Sequence, residues 1–417
     1  MARINIVMPG FSPRTFSGGL WSLMEFASGL AARGHDVTVV PVLPCRHKPG
    51  WFLRPAGRIV TSSPAERCGS IGVAAKACAA ALLAGQRRQL RAAIGELACA
   101  ALTLQPSLVP EELRVGVACH YLNRALPPAD ATLATASWTA LPVRLSGQGR
   151  LLYFMQHYEP YFFDGEGEEE RVAKREAEIS YGLGLEMIAN SSWLKKKIET
   201  EFPHTRVRLC HLAVDHSLFH GEPREPGSGG TTTVISYSGR RAAWKGFREM
   251  AEAVKIARNT LRGTTIRWLV YGPAALLPPD NPVAPYEWLG FLQPPQLAEA
   301  YRSADLLLSA SWYESFPLFT LEAMACGLPV VTTPLGTEDY AIPGETAEVV
   351  APRDPRNIAA GLIRLIQDSR YRRRIAGAGR EISREFTWGK SVSAMEEILV
   401  RAVPESSPAP VPLGACR

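Results

Sequence analysis

Residues 312–331 read WYESFPLFTLEAMACGLPVV and carry the strongest indication of the fold class. An apolar run over residues 305–309 predicts a strand just before it, and the apolar spacing over residues 319–325 predicts a helix inside it. Residues 330–331 then begin the next strand. The stretch is therefore a strand–loop–helix–strand unit, which is the repeating unit of a parallel α/β sheet.

The start of this helix is suited to an anion. Pro317 fits the first helical turn, where its missing N–H is no loss, and the amides of Leu318 and Phe319 then point out of the helix N-terminus towards a group such as a diphosphate. Glu314 precedes the helix and Glu322 lies in its second turn. Because carboxylates repel phosphate, their natural partners are sugar hydroxyls. From the residues alone, a buried βα unit with two incidental glutamates is the alternative.

A second stretch, YSGRRAAWKG at residues 237–246, follows a predicted strand over residues 233–237. Arg240 and Lys245 place two cations at the end of that strand, where they could stabilise the charge that develops on a departing diphosphate. An ordinary basic loop is the alternative. The order of glycine and lysine differs from that of a Walker A loop, and the chain has no Asp-x-Asp motif, so chemistry without a metal is favoured.

These two stretches resemble glycosyltransferase family 4. Residues 314–322 match its Glu-x7-Glu motif, with the same flanking Glu-Ala-Met-Ala-x-Gly-x-Pro-Val-Val, and residues 239–246 match its Gly-Arg-x4-Lys-Gly element. The resemblance implies that Glu314 contacts the transferred sugar, Glu322 the nucleotide ribose, and Arg240 and Lys245 the diphosphate. Many members have glycine where Pro317 stands, so phosphate contacts should come from the next two amides. The implied donor-binding residues are Gly18, Gly19, Gly239, Gly290, Phe291, Phe316, Leu318, Phe319 and Glu322.

Two weaker signals lie nearer the N-terminus. Gly18 and Gly19 occupy the first predicted βα loop, where glycine lets a backbone approach a ligand closely, although a plain turn is the alternative. His157 lies within YFMQHYEP, residues 153–160, at the end of another predicted strand, where it is either structural or faces the ligand edge of the sheet. The resemblance implies a histidine beside the transferred sugar. The sequence of residues 153–160 resembles that of rhamnosyltransferases of polysaccharide assembly.

The rhythm of strands and helices divides the chain into two halves. It starts at residue 4, stops at a Gly/Pro-rich segment over residues 221–230, and restarts after it. The resemblance implies the α/β GT-B fold, in which two Rossmann-like domains with parallel sheets face a central cleft and a C-terminal helix crosses back. The expected division is an acceptor-binding domain 1–220, a linker 221–230, a donor-binding domain 231–385, the crossing helix 386–403 and a disordered tail 404–417.

Composition limits the kinds of binding partner and the cellular compartment that we expect for this chain. The net charge of +6 suits an anionic small molecule or an acidic membrane surface, but it is too small to indicate nucleic-acid binding. The eight cysteines form no CxxC pair, and the N-terminus lacks the pattern of a leader peptide, so a cytoplasmic protein is expected. The basic, Ala-rich stretch 76–91 could lie on the inner face of the plasma membrane or pack on its own domain.

The resemblance implies a retaining, metal-independent and cofactor-free glycosyltransferase. It would move a hexosyl or deoxyhexosyl group from a nucleotide-diphosphate sugar to a glycan or lipid-linked glycan acceptor in surface polysaccharide assembly. A nucleotide-sugar epimerase of the same fold and a non-catalytic binding subunit are the alternatives. Residues 45–128 match no part of the family, and the acceptor pocket is expected there.

Overall fold

The computed structural model describes residues 1–9, 17–41, 57–59, 126–163, 165, 167–224, 230–239, 242–278, 281 and 283–400, with residues 75, 76, 78–80, 82 and 94 besides. The chain divides into two compact units. The first unit comprises Met1–Asn190, Lys195–Cys210 and Val392–Arg417, and the second comprises Ser191–Leu194 and His211–Ser391. Arg240, most of the basic stretch 76–91 and the tail 404–417 lie outside the described residues.

Within the described residues, the first unit contains a seven-stranded sheet in which all neighbouring strands are parallel. Across the sheet the order is β3-β2-β1-β4-β5-β6-β7. The central strands are buried on both faces, which explains why they read as continuous apolar runs rather than alternating ones. The strands are β1 Arg3–Met8, β2 Asp36–Pro41, β3 Arg58–Ile59, β4 Ala131–Ala134, β5 Arg150–Met155, β6 Glu186–Ala189 and β7 Val207–Leu209.

As far as the structure describes it, the second unit contains a six-stranded sheet in which neighbouring strands are likewise parallel. Across it the order is β10-β9-β8-β11-β12-β13. Its core includes Phe247 and Leu362 from helices and Trp268 from a strand, all buried where the helices pack on the sheet. The strands are β8 Thr231–Tyr237, β9 Thr265–Tyr271, β10 Glu287–Gly290, β11 Leu306–Leu308, β12 Val330–Thr332 and β13 Glu348–Val349.

Helices follow most strands in the described parts of both units, but no helix separates β9 from β10 or β12 from β13, and three helices in a row follow β13. Short 3₁₀ turns lie at Glu159–Phe162 and Ala243–Lys245. The α-helices are α1 Gly18–Ala32, α2 Ser137–Ser146, α3 Glu168–Ser180, α4 Ser192–Glu201, α5 Phe247–Thr260, α6 Pro294–Ser303, α7 Leu318–Ala325, α8 Pro355–Gln367, α9 Ser369–Ser383 and α10 Trp388–Val400. In the described part of the chain, no helix is long and apolar enough to cross a membrane.

The strand order of each sheet reverses at one place. In the first unit the chain leaves β1 towards β2 and β3 and later returns to the other side of β1 with β4. In the second unit β8 and β11 stand in the same relation. Loops diverge at such a switch point, and ligands of open α/β sheets bind there, at the carboxyl ends of the strands. The two parallel sheets confirm the predicted α/β class with two Rossmann-like units.

The predicted stretch 312–331 folds as expected with one correction. Pro317 was expected inside the first turn of the helix, but it is the N-cap of α7, with φ −70° and ψ 103°. An extended ψ suits a residue that leads into a helix rather than one inside it. The helix therefore begins at Leu318, one residue before the predicted range. The predicted domain boundaries stay predictions.

Candidate functional site

The two sequence motifs of the second unit lie at its switch point, whereas Gly290 and Phe291 lie at the end of β10, two strands from β8. The loop after β11 carries Glu314, and the loop after β8 carries Gly239 and Lys245. The two loops are joined through their backbones, because the Trp312 amide donates to the Trp244 carbonyl at 2.7 Å. Neighbouring parallel strands thus deliver both sequence motifs to one edge of the sheet.

Lys245 and Glu314 form a largely buried ion pair. Lys245 Nζ lies 2.7 Å from Glu314 Oε1, and the two side chains are only 12% and 9% exposed. The same oxygen also accepts a hydrogen bond from Ser311 Oγ at 2.8 Å. A pair so poorly exposed is strongly coupled, since removal of either partner leaves an uncompensated buried charge.

Two glycines let the motifs approach this closely. Gly239 has a φ of +73°, and a Cβ there would lie 2.6 Å from Cγ of Lys245. Gly246 has a φ of +67°, and a Cβ there would lie 1.9 Å from the carbonyl oxygen of Ala310. Any side chain at Gly246 would push apart the loops after β8 and β11. Lys245 also lies over the Trp244 ring, with Nζ 4.2 Å from the ring centroid, which limits its freedom to leave the site.

The N-terminus of α7 opens beside this pair. No side chain caps the helix, and the first amides are those of Leu318 and Phe319, because Thr320 N already donates to Pro317 O at 3.3 Å. The Phe319 ring packs on Tyr237 at 5.3 Å between centroids, which connects the helix start to the end of β8. An uncapped helix start beside a lysine can bind an anionic group.

Glu322 lies one turn after Leu318 on the same side of α7. Burial raises the pKa of its carboxyl to about 8. The residue as a whole is partly exposed, so part of its surface remains within reach of a ligand. Nearby, the buried hydroxyls of Tyr271 and Tyr301 share a hydrogen bond of 2.6 Å. The site therefore holds a carboxyl that is a weaker acid than an exposed glutamate.

The other predicted donor-binding residues, Gly290, Phe291 and Phe316, differ in how exposed they are to a ligand. Gly290 ends β10 with a φ of +72°, and its carbonyl accepts from the Gly272 amide at 3.0 Å. Phe291 follows it and is 44% exposed. Phe316, by contrast, is buried, and its ring packs against His211, Tyr340 and Phe386. A contact from Phe316 to a donor would therefore have to come from its backbone.

The predicted residues of the first unit meet at the ends of β1 and β5. Ser17 caps α1 by accepting from Leu20 N at 3.2 Å. Gly18 and Gly19 were predicted in the loop before this helix, but they are its first two residues, because the cap lies at Ser17. A Cβ at Gly19 would lie 3.0 Å from Oε1 of Gln156. The structure thus brings the glycine pair beside the segment that carries His157.

His157 is placed by neighbours in the chain. Its Nδ1 lies 3.2 Å from the Tyr158 carbonyl oxygen, and its ring packs on Phe162 with 4.5 Å between centroids. The turn Glu159–Phe162 therefore sets the orientation of the imidazole. The catalytic role of His157 stays a prediction.

Glu159 anchors this turn, a role that the sequence did not reveal. Its carboxylate accepts from Ser137 N at 2.9 Å, from Ser137 Oγ at 2.7 Å and from Tyr153 OH at 3.1 Å. Burial raises the pKa of the Glu159 carboxyl, and these hydrogen bonds partly offset the shift. Ser137 opens α2, whose own N-cap residue is Ala136 and gives no side-chain bond. The one indication in the sequence was that Ala136, the residue before α2, has no side-chain oxygen with which to cap the helix.

Two further residues, Ser311 and Gly336, lie against Glu314 and were not predicted from the sequence. Ser311 contacts its carboxylate, and Gly336 approaches its backbone so closely that a Cβ would lie 2.1 Å from the Glu314 carbonyl oxygen. Gly336 has a φ of +85°, so the approach depends on glycine. A serine three residues before the first glutamate was the available signal for Ser311. Among the described residues, no three His, Cys, Asp or Glu side chains cluster as metal ligands would.

Comparison with known proteins adds independent findings. The family model described as Glycosyl transferases group 1 matches residues 232–368. A D-inositol 3-phosphate glycosyltransferase of Thermobispora bispora is 33% identical over 234 residues, covering 51% of this chain and 54% of that relative. This chain spans about half or less of the length of the curated relatives it matches.

Solved structures resemble nearly the whole chain. Sucrose-phosphate synthase of Thermosynechococcus elongatus is 17% identical with a TM-score of 0.68, covering 95% of this chain and 98% of that one. HepE of Anabaena, solved in complex with UDP and glucose, is 16% identical with a TM-score of 0.64, covering 96% and 99%. These similarities confirm the predicted GT-B fold.

Proposed function

We propose, from the premise that residues 232–368 belong to the glycosyl transferases group 1 family, that this chain transfers a sugar from a nucleotide-diphosphate donor to an acceptor. The observation that carries the proposal is the Lys245–Glu314 pair at the uncapped start of α7. It sets a cation, free amides and a carboxylate side by side, and those are the groups that a diphosphate and a sugar need.

The roles follow from charge. The diphosphate gains negative charge as its bond to the sugar breaks, and Lys245 with the amides of Leu318 and Phe319 would stabilise that charge. Glu314 would accept hydrogen bonds from the hydroxyls of the transferred sugar. Glu322, a helical turn further on, would accept from the ribose. Arg240 has the same predicted role as Lys245 and lies outside the described residues.

The relatives support the choice of donor. HepE was solved with UDP and glucose, and a nucleotide sugar is the donor that the diphosphate site would suit here. The family resemblance supports a hexosyl or deoxyhexosyl group and retention of anomeric configuration without a metal. In a retaining transfer, the acceptor oxygen bonds to the anomeric carbon on the face from which the phosphate oxygen departs. The departing phosphate takes the acceptor's proton.

The acceptor proposal is a glycan or lipid-linked glycan in surface polysaccharide assembly, in the cytoplasm or at the inner face of the plasma membrane. Its support is the resemblance of residues 153–160 to polysaccharide rhamnosyltransferases. Gly18, Gly19 and His157 are the residues of the first unit proposed to serve this transfer. The ends of β1 and β5 bring the glycine pair and the His157 segment together, which favours a shared role.

The test is nucleotide release by the purified full chain. A panel of nucleotide-diphosphate sugars is incubated with the protein, first alone and then with glycan acceptors, beside a Glu314→Gln variant. We expect release that depends on the acceptor and falls strongly in the variant. A new nucleotide sugar formed without any acceptor would instead identify an epimerase. Binding without turnover across the panel would identify a binding subunit, and either result would overturn the proposal.

A further inference from the structure

We propose that Ser311 is a positioning residue which, together with Lys245, holds one carboxylate oxygen of Glu314 so that the other oxygen is presented to the transferred sugar. This inference rests on the proposed function, and it concerns the second unit alone. Ser311 is only 3% exposed, so it acts from beneath the site rather than as a ligand-contacting group.

The two oxygens of the Glu314 carboxylate are used unequally. Oε1 accepts from Lys245 Nζ at 2.7 Å and from Ser311 Oγ at 2.8 Å. Within the described residues, Oε2 of Glu314 accepts no hydrogen bond from the protein. A carboxylate has about four acceptor positions, so an oxygen already holding two donors leaves its partner oxygen for the ligand.

The backbone on either side of the carboxylate is fixed by the loop after β12. Thr333 Oγ1 donates to the Ser311 carbonyl at 2.5 Å, and the Glu314 amide donates to the Leu335 carbonyl at 3.1 Å. Gly336 closes against the Glu314 carbonyl, where only a residue without Cβ fits. Ser311 and Glu314 are thus held at a constant separation, and the hydroxyl needs no rearrangement to reach the carboxylate.

The two donors to Oε1 differ in what happens when the donor sugar binds. Lys245 is drawn towards the diphosphate, because the proposed function requires its charge there. Ser311 has no such second partner among the described groups, and its hydroxyl remains on Glu314. Its contribution should therefore be greatest while the charge on the diphosphate develops. Loss of Ser311 should lower kcat more than it raises the KM for the donor.

The test compares Ser311→Ala with Ser309→Ala and Ser311→Thr in steady-state transfer. Ser309 is a matched control, since it is 5% exposed, lies two residues earlier and makes no side-chain hydrogen bond within the described part of the chain. We expect Ser311→Ala to lower kcat by about ten- to hundredfold, the range for a hydrogen bond to a charged group, with donor KM changed less than about threefold. Ser311→Thr, which keeps the hydroxyl, should recover most of the loss.

The outcomes separate this inference from the proposed function. If the wild-type protein transfers sugar and Ser311→Ala behaves like Ser309→Ala, the positioning role is overturned and the function stands. Equal losses in Ser311→Ala and Ser311→Thr would also overturn it, because the hydroxyl would then be irrelevant. If the wild-type protein transfers nothing, the proposed function is lost.

A second measurement tests the contact between Ser311 and Glu314 through protein stability and does not depend on enzyme activity. In a double-mutant cycle of Ser311→Ala and Glu314→Ala, urea unfolding should show coupling of about threefold or more in the unfolding constant. Additive effects would remove the contact on which the inference depends.

Discussion

The two units hold their predicted site residues in different ways. In the second unit, Lys245 and Glu314 contact each other, and loops from neighbouring strands meet through a backbone hydrogen bond. In the first unit, His157 is oriented by Tyr158 and Phe162, and the turn that contains them is anchored by Glu159 on the start of α2. In the second unit the site residues hold one another in place. In the first unit, residues that are not themselves predicted site residues hold His157 in place.

This difference changes what a substitution should do. Where site residues contact each other, removal of one disturbs both the chemistry and the local electrostatics. Where a separate anchor holds the site, the anchor can be changed without touching the group that meets the substrate. We therefore expect mutations in the second unit to give the larger losses of activity, and mutations behind the first site to act mainly through stability.

The largest effect is expected from Lys245→Ala and Glu314→Gln. Each should lower turnover at least about 100-fold, the scale of one transition-state contact, because the diphosphate loses one of its two proposed cations or the sugar loses its carboxylate. Steady-state transfer measures the loss, and circular dichroism must show that each variant is folded. The exposed Lys255→Ala is the control and should keep normal turnover. Near-normal transfer by either folded variant would remove these residues from the site.

Glu159→Gln should destabilise the first unit by about 1–3 kcal/mol. An amide has one acceptor oxygen, so it cannot satisfy all three donors from Ser137 and Tyr153, and a buried donor is left unpaired. Urea unfolding measures the change, with the exposed Glu169→Gln as control. Affinity for a nucleotide sugar should stay unchanged. A variant as stable as the wild type would show that the turn is held by its aromatic contacts instead.

His157→Ala should lower kcat by about tenfold, which corresponds to about 1.4 kcal/mol, and should leave the KM for the donor unaltered. The effect is smaller because the diphosphate contacts of the second unit remain. Kinetics with saturating and limiting donor separate the two parameters. A rise in donor KM without a fall in kcat would place His157 in donor binding rather than in the transfer step.

The smallest effect concerns Glu322 and pH. Its folded pKa of about 8 exceeds the ordinary value of 4.5, so the folded state binds the extra proton and stability is lost as pH rises towards 8. Over two pH units the limit is about 2.7 kcal/mol, and partial exposure should reduce the loss to about 1 kcal/mol. Thermal unfolding at pH 5.5 and 7.5 should show that Glu322→Gln loses less stability than the wild type. If the wild type and Glu322→Gln lose the same stability between these pH values, the Glu322 carboxyl is exposed to solvent and its pKa is not raised.

Much of the second site was predictable, since its residues lie within two long stretches of sequence. The periodicity of residues 312–331 located α7 to within one residue, and the motif that contains Gly239 and Lys245 lies beside Glu314 in the structure. Pro317 was placed one position too late in the helix because proline is favourable both at a helix start and just before it. Ser311 was passed over, since a serine near a strand end has many ordinary explanations.

The contacts that a short stretch of sequence cannot reveal are those between distant segments. Glu159 meets Ser137 across 22 residues, and Gly336 meets Glu314 across a strand and a helix. Nothing local to either position requires the contact, which arises only when parallel strands bring their carboxyl ends together. The strand order, with switch points at β1/β4 and β8/β11, therefore carries information that the motifs lack.

Every role proposed for the second unit depends on donor binding, and unfolding in the presence of nucleotide sugars measures that binding without turnover. The wild-type protein and Lys255→Ala should each gain about 2.7 kcal/mol of stability at a cognate donor concentration of 100 times the dissociation constant. Lys245→Ala should gain far less at the same concentration. Equal stabilisation of all three proteins, or none with any nucleotide-diphosphate sugar, would contradict the account.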